Sequence, residues 1–357
     1  MSKSSIDRPN PFQQIARVCN VSPASVTLAL QDSPRISEET KYRVYLAGRE
    51  IGYRKSKVRG HKHLQFAIFH GQIHSTSSMS GNTYFDTWYG VTRAINNIEA
   101  TLNIYELNLM DGKWDFATLP SQFKRDQFDG IIVTGVAGKA FLDFLEQVKM
   151  PVVVASNMEL RSNVDQICFD YEHAAGLAVE EMLAYGKRRI GFLSPGSGLL
   201  IHQALFRGYK AAMDAAGCFD PALVEQAEKS YDHEGRMPDA LLRRCPDLEM
   251  IFATNPRTAH QAALAAALHG VPAPEGVQFI SMQNETHREL RYWTHVLCSD
   301  HGNLGESAVK RLLERRERQD FSACTILLKC RLLLDPRAFP AAGAPKAKRA
   351  GKAKELD

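Results

Sequence analysis

A chain of 357 residues exceeds what one hydrophobic core organises and calls for two or three domains. At 44% hydrophobic and 24% charged it has the composition of a soluble globular protein, and no apolar run approaches the ~20 residues of a membrane span. The net charge of +4 hides an asymmetry: residues 1–63 hold 12 Lys/Arg against 5 Asp/Glu, residues 64–336 hold 26 against 33, and residues 337–357 hold 6 against 2. A basic head on an acidic body points to a polyanion as the head's partner, although charge alone fits a solubilising terminus almost as well. The opening MSKSSIDRPNPF carries no apolar signal region, so a secretory leader is not expected. Seven scattered cysteines show neither C-x-x-C nor Cys/His metal spacing, which argues against a metal site or a disulfide framework and for a reducing cytoplasm.

The head, residues 1–53, reads as three short helices. Asn10-Pro11-Phe12-Gln13 gives an N-cap, a proline at the first helical position and a glutamine three residues after the cap. Phe12, Ile15, Ala16 and Val18 then mark one face, and Asn20 suits a left-handed C-terminal cap. Ser22-Pro23 repeats the start signal, with Val26, Ala29 and Leu30 expected inside. A third helix starts at Ser37-Glu38-Glu39, buries Val44, Ala47 and Ile51, and ends at Gly52. Two helices across a four-residue turn, braced by a third, form a helix-turn-helix unit.

Residues 54–63 form a basic linker. From residue 64 the pattern alternates strands (64–71, 102–109, 128–135, 151–156, 166–171, 189–195, 250–255, 277–282) with helices (around 84–98, then 173–185, 203–216, 257–269, 302–318). Apolar strands separated by amphipathic helices predict parallel sheets with helices on both faces, and residues 64–336 suffice for two such lobes. Ligands in such sheets sit beyond the carboxyl ends of the strands. The Ala/Gly/Pro/Lys tail, residues 337–357, cannot bury a core and is expected to be disordered.

The stretch IARVCNVSPASVTLALQDSPRISEETKYRVYLAGREIGYR resembles the DNA-binding head of the lactose-repressor/galactose-repressor (LacI/GalR) family of bacterial transcription regulators. Ile15, Ala16, Val21, Ser22, Val26, Leu30, Ser37, Thr40, Val44, Gly52 and Tyr53 match its pattern. In the body, FDGIIVTG, PVVVAS, FDYEHAAGLAVEEMLAYGKRRIGFLSP and FRGYKAAMDAAG resemble the family's strand and helix motifs, so the likeness spans about residues 10–335. The resemblance implies a multidomain fold, an all-α helix-turn-helix head followed by a two-lobed α/β periplasmic-binding-protein-like body. It implies a homodimer that binds double-stranded DNA at a pseudo-palindromic operator, with a sugar-type effector between the lobes changing operator affinity.

In a helix-turn-helix the second helix enters the major groove, which makes Pro23, Ala24, Ser25, Thr27 and Leu28 the candidate base contacts and Ser22 a cap that also approaches a phosphate. The family usually has Arg at the Leu28 position, and long polar residues are common at Pro23 and Ala24. Their replacement leaves two readings open: recognition through methyl contacts and shape, or weak intrinsic specificity. Gln13, Gln14, Arg35, Arg54, Lys55, Lys57 and Arg59 are the candidate phosphate contacts. The family's Pro-Asn and minor-groove leucine are missing from the linker, which suggests electrostatic attachment to the backbone instead.

The expected effector site draws on Tyr84, Phe85, Trp88, Ser156, Phe169, Asp170, Leu205, Arg207, Asn255 and Gln283. Leu205 stands where the family commonly has Arg, and Arg207 sits beside Gly208 instead, so a neutral polar ligand or none is expected over a carboxylate. His173, His202, His260 and His301 lack metalloenzyme spacing, and no nucleophile elbow or phosphate loop occurs, so neither catalysis nor a cofactor is expected. The reading is a cytoplasmic, effector-modulated repressor. Its alternatives are an effector-independent regulator of the same fold and a cytoplasmic sugar sensor that does not read DNA.

Overall fold

The computed structural model describes residues 10–30, 33, 35–51, 64–72, 80–108, 128–135, 139–145, 150–157, 164–196, 200–227, 236–271, 273, 276–284, 295–317, 322–335 and 354–355. The head and the body belong to separate compact units. The linker and most of the tail lie outside the described residues.

The head is three helices: α1 (Pro11–Cys19), α2 (Pro23–Leu30) and α3 (Glu38–Glu50). Asn10 Oδ1 caps α1 by accepting from Phe12 N at 3.0 Å. Asn20 ends it in the left-handed region (φ 51°), its N–H returning to the Ala16 and Arg17 carbonyls. That turn lets α2 start three residues later and cross α1. One fully buried aliphatic per helix, Ile15, Val26 and Val44, meets at the centre with Ala16, Cys19, Ala29 and Ala47 around them. Each of the three contributes ~1.5–3 kcal/mol on burial. Two expected core positions are corrected. Val18 is 62% exposed and Cys19 takes the inward position, and Ile51, just past the last turn of α3, is 37% exposed. At helical spacing i+3 and i+4 flank the face, and the cross-over of α2 selects i+4.

The body holds two sheets. In the first lobe the order is β11-β5-β4-β3-β1-β2, from β1 (Gln65–Gln72), β2 (Thr101–Asn108), β3 (Gly130–Gly135), β4 (Val152–Ala155), β5 (Asp165–Phe169) and β11 (Thr325–Leu328). The pairs β1/β3, β3/β4, β4/β5 and β5/β11 are parallel. The second sheet runs β13-β12-β10-β9-β8-β6-β7, from β6 (Ile190–Ser194), β7 (Val224–Gln226), β8 (Met250–Ala253), β9 (Gln278–Asn284), β10 (His295–Ser299), β12 (Arg331–Leu334) and β13 (Lys354–Glu355). It is parallel from β7 to β10 and closes with antiparallel β12 and β13. Two residues of the tail thus pair as an edge strand. Strands β3, β4, β5, β6, β8 and β10 are buried along their whole length, as doubly covered parallel strands should be.

The described helices of the body are α4 (Ser80–Asn96), α5 (Lys139–Leu145), α6 (Tyr171–Ala184), α7 (Leu200–Ala215), α8 (Arg236–Arg244), α9 (Pro256–Leu268) and α10 (His301–Glu317). Among the described residues the chain passes between sheets three times, at Phe169–Tyr171, Ser299–His301 and Leu328–Arg331. Two passes share one design. Asp170 caps α6 by accepting from His173 N (3.2 Å), and Asp300 caps α10 by accepting from Asn303 N (2.9 Å). Each crossover helix then packs on the lobe it enters, α6 against α7 and α10 against α4. These crossings are close because glycines face backbone: a Cβ on Gly208 would stand 2.0 Å from the Glu172 carbonyl oxygen, and one on Gly305 2.2 Å from that of Thr87.

A buried ion cluster ties the first lobe to its returning helix. Asp165, fully buried at the start of β5, accepts from Arg311 Nη2 (3.1 Å), Arg315 Nε (2.5 Å) and Cys324 N (2.8 Å). Burial alone would raise its carboxyl pKa, but these hydrogen bonds and the two guanidinium charges outweigh it and hold the pKa below the ordinary value.

Candidate DNA-reading and ligand-binding sites

Ser22 closes the first turn of α2. Its Oγ accepts from Ser25 N at 3.0 Å and lies 2.9 Å from Ser25 Oγ. Thr27 Oγ1 donates to the Pro23 carbonyl at 3.1 Å, the usual back-bond of a helical threonine. Ser22, Pro23, Ala24 and Thr27 are exposed, whereas Ser25 and Leu28 are half-buried. At the start of α1, Gln13 is exposed and Gln14 half-buried, and Arg35 is exposed between α2 and α3. Ser37 caps α3, accepting from Thr40 N at 3.3 Å. Arg43 donates to the Cys19 carbonyl, bracing the end of α1 against α3. Arg54, Lys55, Lys57 and Arg59 lie outside the described residues.

In the body, the carboxyl ends of β1 and β3 gather a cluster that the sequence only half announces. His70 and Thr134 stand opposite in register and are both 1% exposed, with His70 Nδ1 3.0 Å from Thr134 Oγ1. Trp88 Nε1 donates to the same hydroxyl at 3.3 Å. Tyr84 and Trp88 of α4 pack their rings on His70, with centroids at 4.3 and 5.1 Å. Burial depresses the His70 pKa, partly countered by Glu106, so the ring is neutral at physiological pH. Phe85 extends the group by an edge contact to Trp88 (5.5 Å) but is 61% exposed.

Next along the sheet, Ser156 Oγ donates to the Gly135 carbonyl (2.7 Å), and Asn157 exchanges two hydrogen bonds with the backbone of Phe169. Phe169 is buried against His301, centroids 5.0 Å apart, so the first two crossovers touch. His301 Nδ1 lies 3.3 Å from Thr87 Oγ1, and burial lowers its pKa to about 4. Asp170 is half-buried and engaged as the α6 cap. In the second lobe, Asn255 Oδ1 caps α9 through Thr258 N (2.8 Å), and Gln283 of β9 is 2% exposed.

Two models of known families match this chain. One, described as "Bacterial regulatory proteins, lacI family", covers residues 12–56. The other, "Periplasmic binding proteins and sugar binding domain of LacI family", covers residues 75–326. The protein belongs to the LacI family. It is a DNA-binding transcriptional regulator with that family's two-part architecture. Among its relatives, the HTH-type transcriptional regulator GntR of Pseudomonas aeruginosa is 25% identical over 287 residues, covering 76% of this chain and 79% of the relative. Among solved structures, a transcriptional regulator CelR–cellobiose complex has a TM-score of 0.63 at 18% identity, covering 92% of this chain and 99% of that one. The lac repressor dimer bound to operator and the anti-inducer ONPF also gives 0.63, at 15% identity, covering 93% and 100%.

Against the LacI-family pattern, the expected cleft residues separate into two groups. Tyr84, Trp88, Ser156 and Phe169 gather at the strand ends of the first lobe with His70, Thr134 and His301. Leu205 is fully buried on the inward face of α7, with His202, Gly208 and Tyr209. Arg207 points away from that face, exposed, and pairs through Nε with Glu172 Oε2 at 2.7 Å. His70, Thr134 and His301 are additions. A polar residue at the end of an apolar strand, as in LQFAIFHG, is the signal that would have found His70. Among the described residues no helix is long and apolar enough to cross a membrane.

Proposed function

We propose that this protein is a homodimeric repressor, acting in the cytoplasm, that reads a pseudo-palindromic operator and answers to a neutral, sugar-type ligand. Its part is binding, not turnover. The observation that carries the reading is α2: capped by Ser22 and held by a core drawn from all three helices, it keeps Pro23, Ala24 and Thr27 exposed at its start. That is the part of a recognition helix that meets base edges. Gln13, Gln14 and Arg35, with linker residues Arg54, Lys55, Lys57 and Arg59, supply the phosphate contacts.

For the ligand, the groups at the strand ends of the first lobe are an imidazole, a phenol, an indole and hydroxyls, from His70, Tyr84, Trp88, Thr134 and Ser156. Aromatic faces beside a few fixed polar atoms suit a polyol better than an anion. Asp170 and Asn255 contribute by fixing helix starts. A second copy accounts for two exposed apolar helix stripes, Phe85/Tyr89 on α4 (61 and 67% exposed) and Leu264/Leu268 on α9 (61 and 81%). CelR and the lac repressor, which share the fold, were solved with cellobiose and as an operator-bound dimer.

The test is selection of bound fragments from a genomic DNA library by the full chain, paired with thermal melting across neutral sugars and sugar acids. A two-fold symmetric consensus and a rise in Tm with one neutral sugar are expected. No enriched sequence would sink the regulator reading and leave a sensor that does not read DNA. A consensus with no shift in Tm would favour the effector-independent regulator, to which the buried Leu205 and the outward Arg207 also belong.

A further inference from the structure

We infer that α2 reads its half-site without a side-chain donor in its exposed helical face, selecting thymine methyls and the amino groups of adenine or cytosine and taking no guanine through N7 and O6. This rests on the reading that α2 lies in the major groove, and it sharpens that reading to a chemistry of bases.

The inference follows from counting hydrogens. Pro23 and Ala24, both exposed, carry no polar side-chain atom, and Pro23 has no backbone N–H either. Thr27 has one hydroxyl hydrogen and donates it to the Pro23 carbonyl at 3.1 Å. What Thr27 still offers the groove is a methyl and acceptor lone pairs. Ser22 and Ser25 lie Oγ to Oγ at 2.9 Å, so one of their two hydrogens is spent between them. The remaining one is either on Ser22, at the cap where the natural partner is a phosphate, or on Ser25, which is half-buried and off the exposed face. Leu28, half-buried, is apolar.

Guanine shows only acceptors in the major groove, so direct reading of it needs a donor, usually a bidentate Arg or Lys. Thr27 reaches guanine only by surrendering its intrahelical bond. Adenine N6 and cytosine N4 are donors and meet its lone pairs at no such loss. The thymine methyl meets Pro23, Ala24 and the Thr27 methyl by apolar contact. The two readings left open by the sequence therefore resolve into one: specificity is present and rests on thymine methyls and on the amino groups of adenine or cytosine.

The experiment starts from selection on a random duplex library with the full chain, repeated with Leu28→Arg. Positions whose preference changes in Leu28→Arg, towards guanine, mark the α2 footprint. Binding is then measured by fluorescence anisotropy on duplexes altered one base at a time within it. Thymine to deoxyuracil removes only a methyl and should weaken binding about fourfold per contacted methyl, the worth of one buried methyl group. Guanine to 7-deazaguanine removes N7 and should change affinity less than about twofold. Thr27→Val keeps the shape and deletes the acceptor, and should relax selection at an adenine or cytosine while leaving the thermal melt in place. A tenfold loss with 7-deazaguanine, indifference to deoxyuracil, or unchanged selection by Thr27→Val would each overturn the inference while leaving a sequence-specific regulator standing. Absence of any consensus would overturn the regulator reading with it.

Discussion

Gly208→Ala is a one-methyl change whose cost is set by geometry. A Cβ at this position would lie 2.0 Å from the Glu172 carbonyl oxygen and 2.9 Å from its carbon and from Gly176 N. All three are backbone atoms of α6, so no side chain can swing aside. Ordinary contact lies beyond about 3.4 Å, which requires α6 and α7 to part by about 1.4 Å or to tilt. A gap of that size forfeits about half or more of the dispersion attraction across the crossing. Overpacking of this kind costs ~1–3 kcal/mol or more, against which alanine regains ~1 kcal/mol of helix propensity. With a backbone contact this short the cost lies at the top of that range, so a net destabilisation of about 2 kcal/mol is expected. Gly176→Ala, on the facing helix, is the internal control: its Cβ would meet the Gly208 oxygen at an unstrained 3.6 Å. That variant keeps the propensity gain and should be neutral or stabilising by up to ~1 kcal/mol. Urea denaturation of the full chain, followed by far-ultraviolet circular dichroism through the body transition, reads both. Equal stability of Gly208→Ala and the parent, or equal loss in the two variants, would refute the close-crossing argument.

Three further outcomes are expected. Asp165→Asn leaves Arg311 and Arg315 facing a neutral group at a buried site and should cost about 3 kcal/mol in the same assay. Because the folded Asp165 pKa lies below its unfolded value, its contribution is present above that unfolded value and is lost as pH falls through the folded one, so the difference between parent and variant should narrow in acid. His295 and His301 are held neutral by burial, with pKa lowered to about 3 and about 4. Protonation therefore favours the unfolded chain: stability is full above the unfolded value of ~6.5 and declines below it by up to ~1.4 kcal/mol per pH unit for each ring. Urea midpoints at pH 7.5, 6 and 5 check this, and His301→Phe should flatten the slope; a midpoint unchanged down to pH 5 would contradict it. Operator affinity should fall with salt at a log–log slope of at least ~5, from phosphate contacts on two heads, and a flat response would remove the electrostatic head.

The sequence was most legible where structure is local. Asn10, Asn20 and Ser22 cap as their types demand, because a cap is decided within three or four residues. The fully buried strands betray themselves as unbroken apolar runs, since both faces of a parallel sheet are covered. Legibility fails where the answer depends on a distant partner. Periodicity could not choose between Val18 and Cys19, because both lie near the inward stripe and only the crossing of α2 decides. Strands β11 and β12 are short and half-exposed, and they take their place from strands more than a hundred residues earlier or from the antiparallel return to β10. Arg207 reads as a ligand residue beside its glycine, yet Glu172, brought close by the α6/α7 crossing, takes it outward.

The same distinction explains why the head and the candidate ligand site differ in how much of their chemistry a sequence discloses. On α2 the deciding bonds run over three and four residues, from Ser22 to Ser25 and from Thr27 to Pro23, so which hydrogens are spent is a local matter. A mutation there changes what is read and little else. At the strand ends of the body the deciding contacts join His70 to Thr134 and Phe169 to His301, across 64 and 132 residues. A group held by two crossovers at once cannot be altered without altering how the crossovers meet. Substitutions at Phe169 or His301 should therefore move stability and ligand response together, whereas those at Thr27 or Leu28 should move base preference alone.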